Sequence, residues 1–425
     1  MPSPSPDNTP PTTPELRGYS SLLDSLDFCN LNPEEKARIA VAEAYQTSSA
    51  EFTDRYSIRG VIGFGSNGVV LSGQDLLSKN PQTVAVKIIY KRNPGGKLAN
   101  KSKPAEIEAL RTLTKNPDVK TFSPYVLEYL DDWEDEHHYY LVTNVHGSNW
   151  LQTLGRNSQY LAPLAPLTFP ITSSNGGTVV QSLPISSGSA DLWSWSCVHR
   201  IHIFQAEGHK LIPMDPIKRF IKQTALALSF IHAQGYYHGD VKLENILIQY
   251  PSCPKGQGVT FEGSTVCLAD FGHARPVYEG IFSYGTKAVS PPELLKDSPY
   301  EAEELDGRNA GKYRFSSLTH AGLFINGLIL RQTDVFALGM VLYLLLTESG
   351  ELPTIVTCLK ANAMGWAGLV KIGKNKGKHF PLDKIPDLEE SAWELLHGMT
   401  SIDPEERLSI DEVIEHPWMK NVDVK

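Results

Sequence analysis

The sequence predicts an α+β fold in which a small strand-rich lobe precedes a larger helical one. Three observations predict it. Residues 56–91 hold short apolar alternations around a glycine-rich turn, and the pattern returns over 139–145. From residue 215 onward apolar residues recur at three- and four-residue spacing, the period of helices. No internal repeat is visible, so strands first and helices after describe one two-lobed unit.

Composition bounds what that unit does. The chain has 425 residues and a formal net charge of -9. The acidic balance excludes a general nucleic-acid binder, because phosphate recognition needs clustered Lys and Arg, and it suits basic partners. Cys29, Cys197, Cys253, Cys267 and Cys358 are scattered and form no CxxC pair, which fits a reducing intracellular compartment, cytoplasmic or nuclear. The opening MPSPSPDNTPPTTP has neither the basic start nor the apolar core of a signal peptide, so secretion is not expected. The most apolar run, residues 335–346, is shorter than the ~20 residues of a membrane span and reads as a buried helix.

Residues 1–50 form an N-terminal extension. Its first part is rich in Pro, Ser and Thr and is expected to be disordered. NPEEKARIAVAEAY, from Asn32 to Tyr45, then begins as helices do, with Asn-Pro and an acidic first turn. Strands follow in YSIRGVIG, NGVVLSG and TVAVKIIY, a helix over 104–113, and a strand in YYLVTNV. Residues 155–211 carry many Ser, Gly and Pro without a sustained period and read as an insertion loop, removable over about 158–205 at modest loop-closure cost. Asp215 and Pro216 read as the cap and first residue of a helix with Ile217, Ile221, Thr224, Leu228 and Ile231 on one stripe. Ser409 and Glu412 make a capping-box pattern before a last helix that stops at His416-Pro417-Trp418.

The chemistry sits in four places. Gly63, Gly65 and Gly68 form a glycine turn between two strands, which suits a hairpin over nucleotide phosphates rather than a dinucleotide fingerprint. Lys87 lies mid-strand among apolar residues, where an unpaired ammonium is costly. On the next helix Glu106 shares its face with Ala109, Leu110 and Leu113, whereas Glu108 shares its own with Arg111, Thr112 and Lys115, so Glu106 is the expected partner. In YYHGDVKLENILI, Asp240 can accept a hydroxyl proton, Lys242 can neutralise a phosphoryl group and Asn245 can offer an oxygen to Mg²⁺. In VCLADFG, Asp270 ends a strand as a second Mg²⁺ ligand.

With these residues in this order, residues 56–419 resemble the eukaryotic protein kinase family, a two-lobed fold, followed by a short tail over 420–425. The resemblance extends to Gly285 and Thr286, to Pro291, Pro292 and Glu293, to Asp334 and Gly339, and to Arg407, which it pairs with Glu293. It implies a serine/threonine kinase that uses ATP and Mg²⁺ and acts on Ser or Thr hydroxyls of proteins. Lys87, Glu106, Asp240, Lys242 and Thr286 would be catalytic, and Asn245 and Asp270 would hold metal. Gly63, Gly65, Gly68, Val70, Ala85, Lys87, Thr143, Val145 and Leu247 would bind ATP, with Thr143 guarding the back of the adenine pocket. Lys242 and the later Pro-Glu segment separate the chain from small-molecule kinases, the less favoured alternative. A kinase-like scaffold without catalysis is the other, and its usual mark, a lost lysine or aspartate, is missing here.

Four positions depart from the family. Gly239 stands where an arginine is usual, the non-RD variant, while Phe282, Val289 and Pro291 replace a phosphoacceptor, a tyrosine and an alanine. With less positive charge beside Asp240, loop phosphorylation is expected to be dispensable, tempered by Arg275 and Ser283 nearby. Insertions over 155–211, about 249–263 and about 296–330 offer sites for regulators.

Overall fold

The computed structural model describes residues 28–47, 52–78, 82–91, 103–116, 121–147, 165–172, 177–185, 191–249, 263–279, 285–291, 294, 323–354 and 379–424. Its first element is helix α1 (Pro33–Thr47). Asn32 and Glu35 exchange backbone-to-side-chain hydrogen bonds, each 2.9 Å, so the expected Asn-Pro start is reinforced by a reciprocal cap.

The smaller lobe is an antiparallel sheet of β1 (Tyr56–Phe64), β2 (Gly68–Asp75), β3 (Gln82–Tyr90), β4 (Tyr129–Glu134) and β5 (His138–Asn144), in the order β1-β2-β3-β5-β4. Strand alternation divides its faces. Val84, Val86 and Ile88 of β3, with Tyr140 and Val142 of β5, are buried on the outer face beneath Ala37, Ala40, Val41 and Ala44 of α1. Helix α2 (Ala105–Lys115) packs on the inner side, burying Ile107, Leu110 and Leu113.

The stretch expected to be an insertion loop is substantially ordered. It holds a hairpin, β6 (Leu167–Thr172) and β7 (Thr178–Leu183), and helix α3 (Leu192–Glu207). Leu167, Phe169 and Leu183 of the hairpin join the apolar layer under α1. Helix α3 belongs instead to the larger lobe: Trp195 is 0% exposed and meets Phe220 edge-on at 5.3 Å. Arg200 is buried too, and its Nη2 donates to the carbonyls of Leu344 at 2.6 Å and Thr347 at 3.1 Å. The expectation that residues 158–205 can be removed is therefore corrected. Apolar residues ring α3, with Trp193, Ile201 and Phe204 exposed and Leu192, Trp195 and Ile203 buried, so no stripe announces the helix.

The larger lobe is built on α4 (Met214–Ala233) and α5 (Leu323–Leu346), with α6 (Glu390–Met399) and α7 (Ile410–Glu415) beyond them. The predicted stripe of α4 is buried throughout, but its cap is Pro213 and Asp215 lies inside the first turn. Helix α5 starts well before the apolar run, within the stretch read as an insertion, and among the described residues no helix is long and apolar enough to cross a membrane. Ser409 and Glu412 close the expected capping box on α7. Two short antiparallel pairs complete the cleft side: β8 (Tyr236–Tyr237) with β11 (Arg275–Pro276), and β9 (Ile246–Gln249) with β10 (Thr265–Leu268).

Trp195→Ala removes a whole indole from this core, so unfolding free energy is expected to drop by about 3–5 kcal/mol. Denaturant titration measures it, and a loss below about 1 kcal/mol would return α3 to the status of a surface loop.

Candidate active site

Strand register sets the upper wall of the cleft. Lys87 pairs with Val70 on one side and Leu141 on the other, and Ala85 with Ser72 and Thr143. Directly paired residues share a sheet face, so Val70, Ala85, Lys87 and Thr143 line one surface, opposite the face under α1. Gly63 ends its turn on β1, Gly65 lies in the turn and Gly68 opens β2. Nothing stands within 4 Å of where a Cβ would be at Gly63 or Gly65, so the turn borders open space. Val145 is half-buried just after β5, and Leu247 lies on β9 across the cleft.

Lys87 meets two carboxylates. Its Nζ donates to both Glu106 oxygens at 2.8 and 2.7 Å and stands 3.5 Å from Asp270 Oδ1. Glu106 is buried on α2 while Glu108 is exposed, which is the division the helical face predicts. Burial alone would favour loss of the Lys87 proton, but Glu106 and Asp270 outweigh it and raise its pKa above the ordinary lysine value. Burial lifts the Glu106 carboxyl, opposed by Lys87. Asp270 is held below the usual carboxylate range by Lys87, against burial. Its backbone is left-handed, φ 58°, unusual for a residue with a Cβ, and its side chain remains 45% exposed toward the cleft.

Asp240 is the centre of a second cluster. Its Oδ2 accepts from Lys242 Nζ at 2.7 Å and from Asn245 Nδ2 at 3.1 Å, and its Oδ1 accepts from the Thr286 N–H at 2.7 Å. Lys242 Nζ also donates to Thr286 Oγ1 at 2.9 Å. Burial would raise the Asp240 carboxyl, but the bonds from Lys242 and Thr286 prevail and hold it below its ordinary value. The amide nitrogen of Asn245 donates to Asp240, including its carbonyl at 2.8 Å. That commitment leaves the amide oxygen as the donor atom for a cation. Two hard oxygen donors, one anionic, fit Mg²⁺, which keeps several waters and takes few protein ligands.

Two glycines let these parts meet. Gly239 has φ 77° and Gly285 φ 59°, and a Cβ on Gly285 would lie 2.2 Å from the Gly239 carbonyl oxygen. The loop bearing Asp240 and the segment bearing Thr286 therefore touch through backbone alone. Arg275 turns inward, with Nη1 donating to the carbonyls of Gly272 at 3.1 Å and Ala274 at 2.6 Å. Phe282, Ser283, Pro292 and Glu293 lie outside the described residues, and with them the expected Glu293–Arg407 pair; Arg407 itself is buried and donates to the Ser401 and Gln332 carbonyls.

Sequence reading missed His232 and His238. His238 Nε2 faces the Ala269 carbonyl at 3.0 Å, so that nitrogen carries the proton and Nδ1 accepts from the Asp240 N–H at 3.3 Å. Its ring meets Phe271 edge-on at 4.9 Å. Asp334 on α5 accepts from the backbone N–H groups of His238 at 2.8 Å and Gly239 at 2.9 Å, and from His232 Nε2 at 2.9 Å. The one available signal was a polar residue, His238, immediately before Gly239-Asp240 in an otherwise apolar flank; its partners come from distant segments.

Residues 196–327 match the protein kinase domain family, a range that includes Asp240, Asn245, Asp270 and Thr286 but neither the glycine turn nor Lys87 and Glu106. The serine/threonine-protein kinase PKZ1 of Phytophthora infestans is 30% identical over 206 residues, 47% of this chain and 43% of that protein. The CBL-interacting protein kinase 20 of Oryza sativa subsp. japonica is 27% identical over 213 residues, covering 48% and 35% of the two chains. The maternal embryonic leucine zipper kinase of Danio rerio is 28% identical over 205 residues, covering 47% and 22%. The chain thus spans less than half the length of these relatives.

Buried His238 and half-buried His146 give a pH signature. Burial pushes His238 below its ordinary value and His146 down to about 4. Both rings bind protons more readily in the unfolded chain, so their stability contribution is complete above about pH 6.5 and is lost as pH falls toward the folded values. The melting temperature is expected to decline on acidification from about pH 6.5, and His146→Gln to flatten part of that decline. An unchanged slope in the variant would remove His146 from the account.

Proposed function

We propose that the protein kinase catalytic domain carried by this chain is active and transfers the γ-phosphoryl group of ATP to serine or threonine hydroxyls of protein substrates. The observation that carries the reading is the pair of clusters facing one cleft, Lys87–Glu106–Asp270 above and Asp240–Lys242–Asn245–Thr286 below. Each polar side chain has a partner that orients it, as a site built for positioning requires.

In this reading the acceptor hydroxyl is held by Asp240. Its oxygen attacks the γ-phosphorus as the bond from that phosphorus to the β-phosphate oxygen breaks, leaving ADP. The hydroxyl proton passes to Asp240. A carboxylate held below its usual pKa is a weak base, so Asp240 mainly aims the hydroxyl and takes the proton late. Lys242, tied to Asp240 and Thr286, supplies positive charge where the phosphoryl group moves, and Thr286 fixes both. Lys87, kept charged by Glu106, meets the α- and β-phosphates beneath the glycine turn. Asn245 and Asp270 would hold Mg²⁺, which when bound neutralises phosphate charge. Val70, Ala85, Thr143, Val145 and Leu247 would enclose adenine. The kinase reading accounts for residues 56–419 as one domain, with 1–50 before it and 420–425 after it.

Purified protein with Mg²⁺, labelled ATP and a generic Ser/Thr peptide tests the reading. Asp240→Asn and Asp270→Asn should each cost roughly 10²–10⁴ in transfer rate with unchanged melting temperature, the range for a lost general base. Wild-type turnover in Asp270→Asn would sink the metal assignment, and no transfer by the unaltered protein would favour the scaffold.

Replacing Glu106 by Gln should lower transfer on the order of ten- to a hundredfold, the worth of a hydrogen bond to a charged group. Glu108→Gln should be nearly silent. The reverse order of effects would refute the pairing as a catalytic requirement.

A further inference from the structure

Helix α2 carries Glu106 near its start and is fastened at its end to the other lobe. Its C-cap is Asn116, whose Nδ2 donates to Gln234 Oε1 at 2.6 Å. Gln234 is in turn the C-cap of α4, with its own N–H bonded to the carbonyls of Phe230 at 3.3 Å and Ile231 at 3.1 Å. Two helices from different lobes thus meet cap to cap. An aromatic contact lies on the same turn of α4: Phe122, which falls between α2 and β4 in the chain, meets Phe230 edge-on at 5.3 Å.

Both partners are firmly seated. On the side of α2, Thr114 Oγ1 accepts from the Tyr129 N–H at 3.1 Å, and the Asp132 carboxylate of β4 accepts from Arg111 and from Lys103 just before the helix. Movement of α2 is therefore movement of the sheet that carries Lys87. On the other side, Gln234 stands between His232 and His238, whose ring and backbone N–H are both bound to Asp334. Asp240 follows His238 by two residues. The place of Gln234 is thus set by the same carboxylate that fixes the loop leading to Asp240.

We infer that Asn116 and Gln234 are positioning residues that set the upper cluster, Lys87–Glu106–Asp270, over the lower one built on Asp240. The inference rests on the reading of this cleft as a kinase site. Transfer requires the phosphate held by one cluster to stand within reach of the hydroxyl held by the other. Glu106 lies ten residues from Asn116, ~15 Å along the helix. A tilt of about 5° over that length moves one end against the other by more than ~1 Å, and a misplacement of about 1 Å costs up to about 10²-fold in rate. The cap-to-cap bond opposes that tilt from outside the cleft, so it acts on transfer and leaves the ATP contacts as they are.

The experiment uses the full chain with Mg²⁺ and labelled ATP. Gln234→Met keeps the bulk of the side chain and removes the acceptor, so single-turnover transfer at saturating ATP should fall about three- to tenfold, the worth of one hydrogen bond. The Kd for ATP and the melting temperature should stay nearly unchanged. Gln234→Glu offers Asn116 Nδ2 the same acceptor oxygen and should restore transfer. Asn116→Ala should cost as much as Gln234→Met, and the two together no more than either alone, because they remove one shared bond. If Gln234→Met fails to fold, Asn116→Ala decides. A folded variant without the bond that transfers at the wild-type rate, or that loses transfer only through weaker ATP binding, overturns the coupling. So does a double variant whose loss is the product of the two single losses. An unaltered protein that transfers nothing overturns the kinase reading, and the coupling with it.

Discussion

A carboxylate inside α5, the most apolar of the described helices, holds the site together. Asp334 is 1% exposed, and such a charge is tolerated only when its oxygens are hydrogen-bonded. Its partners are two consecutive backbone N–H groups, of His238 and Gly239, and the ring of His232. The loop leading to Asp240 is therefore pinned to α5 by a group that cannot be left unpaired without a cost of several kcal/mol. Everything nearer the chemistry follows from that fixed point. His238, held by its backbone, presents its ring to Phe271 and its Nε2 to Ala269. Phe271 adjoins Asp270, and Asp270 faces Lys87.

The same pinning explains how the chain manages with Gly239 beside its central aspartate. At φ 77° a side chain there would be strained, and a Cβ would come within 3.1 Å of the His273 carbonyl. A basic side chain is replaced by direct contact: Gly285 lies against the Gly239 carbonyl, and Thr286 bonds to Asp240 and Lys242. The start of the segment is anchored by hydrogen bonds to the Asp240 carboxylate and from the Lys242 ammonium, and by backbone shape, none of which waits on an added phosphate. Arg275, the other basic residue near, spends its guanidinium on backbone carbonyls.

Sequence legibility divides along physical lines. Strands β2 and β3 were readable because one face is buried and burial alternates along most of their length, β1 from its apolar residues although two bulges interrupt its alternation, and Lys87 with Glu106 because a buried charge demands a partner on the right helical face. The stripe of α4 and the capping box of α7 were readable for the same local reasons. Helix α3 was not, because apolar residues surround it and no period distinguishes a buried face. The hairpin was hidden by Pro170 inside β6 and by the exposed run of β7. The roles of His232 and His238 were invisible because they are set by Asp334, which only the folded chain brings near. The start of α4 was misplaced because Asp215 followed by Pro216 imitates a cap that Pro213 occupies.

The N-terminal extension and the insertion are best understood as one construction. The outer face of the sheet offers Val61, Val69, Leu71, Val84, Val86, Ile88, Tyr140 and Val142, a patch too large to leave in water. Helix α1 covers part of it with alanines and Val41, whose small side chains let the helix lie close, and the hairpin covers the rest with Leu167, Phe169 and Leu183. A hairpin placed there must be reached from β5 and left toward α3, whose Trp195 is required in the other lobe. The return path from the outer face to α3 passes the edge of β1, where Val61 has a backbone N–H to satisfy, and ends at β9. Burial on two lobes thus fixes both ends of the excursion, the hairpin under α1 and Trp195 against Phe220.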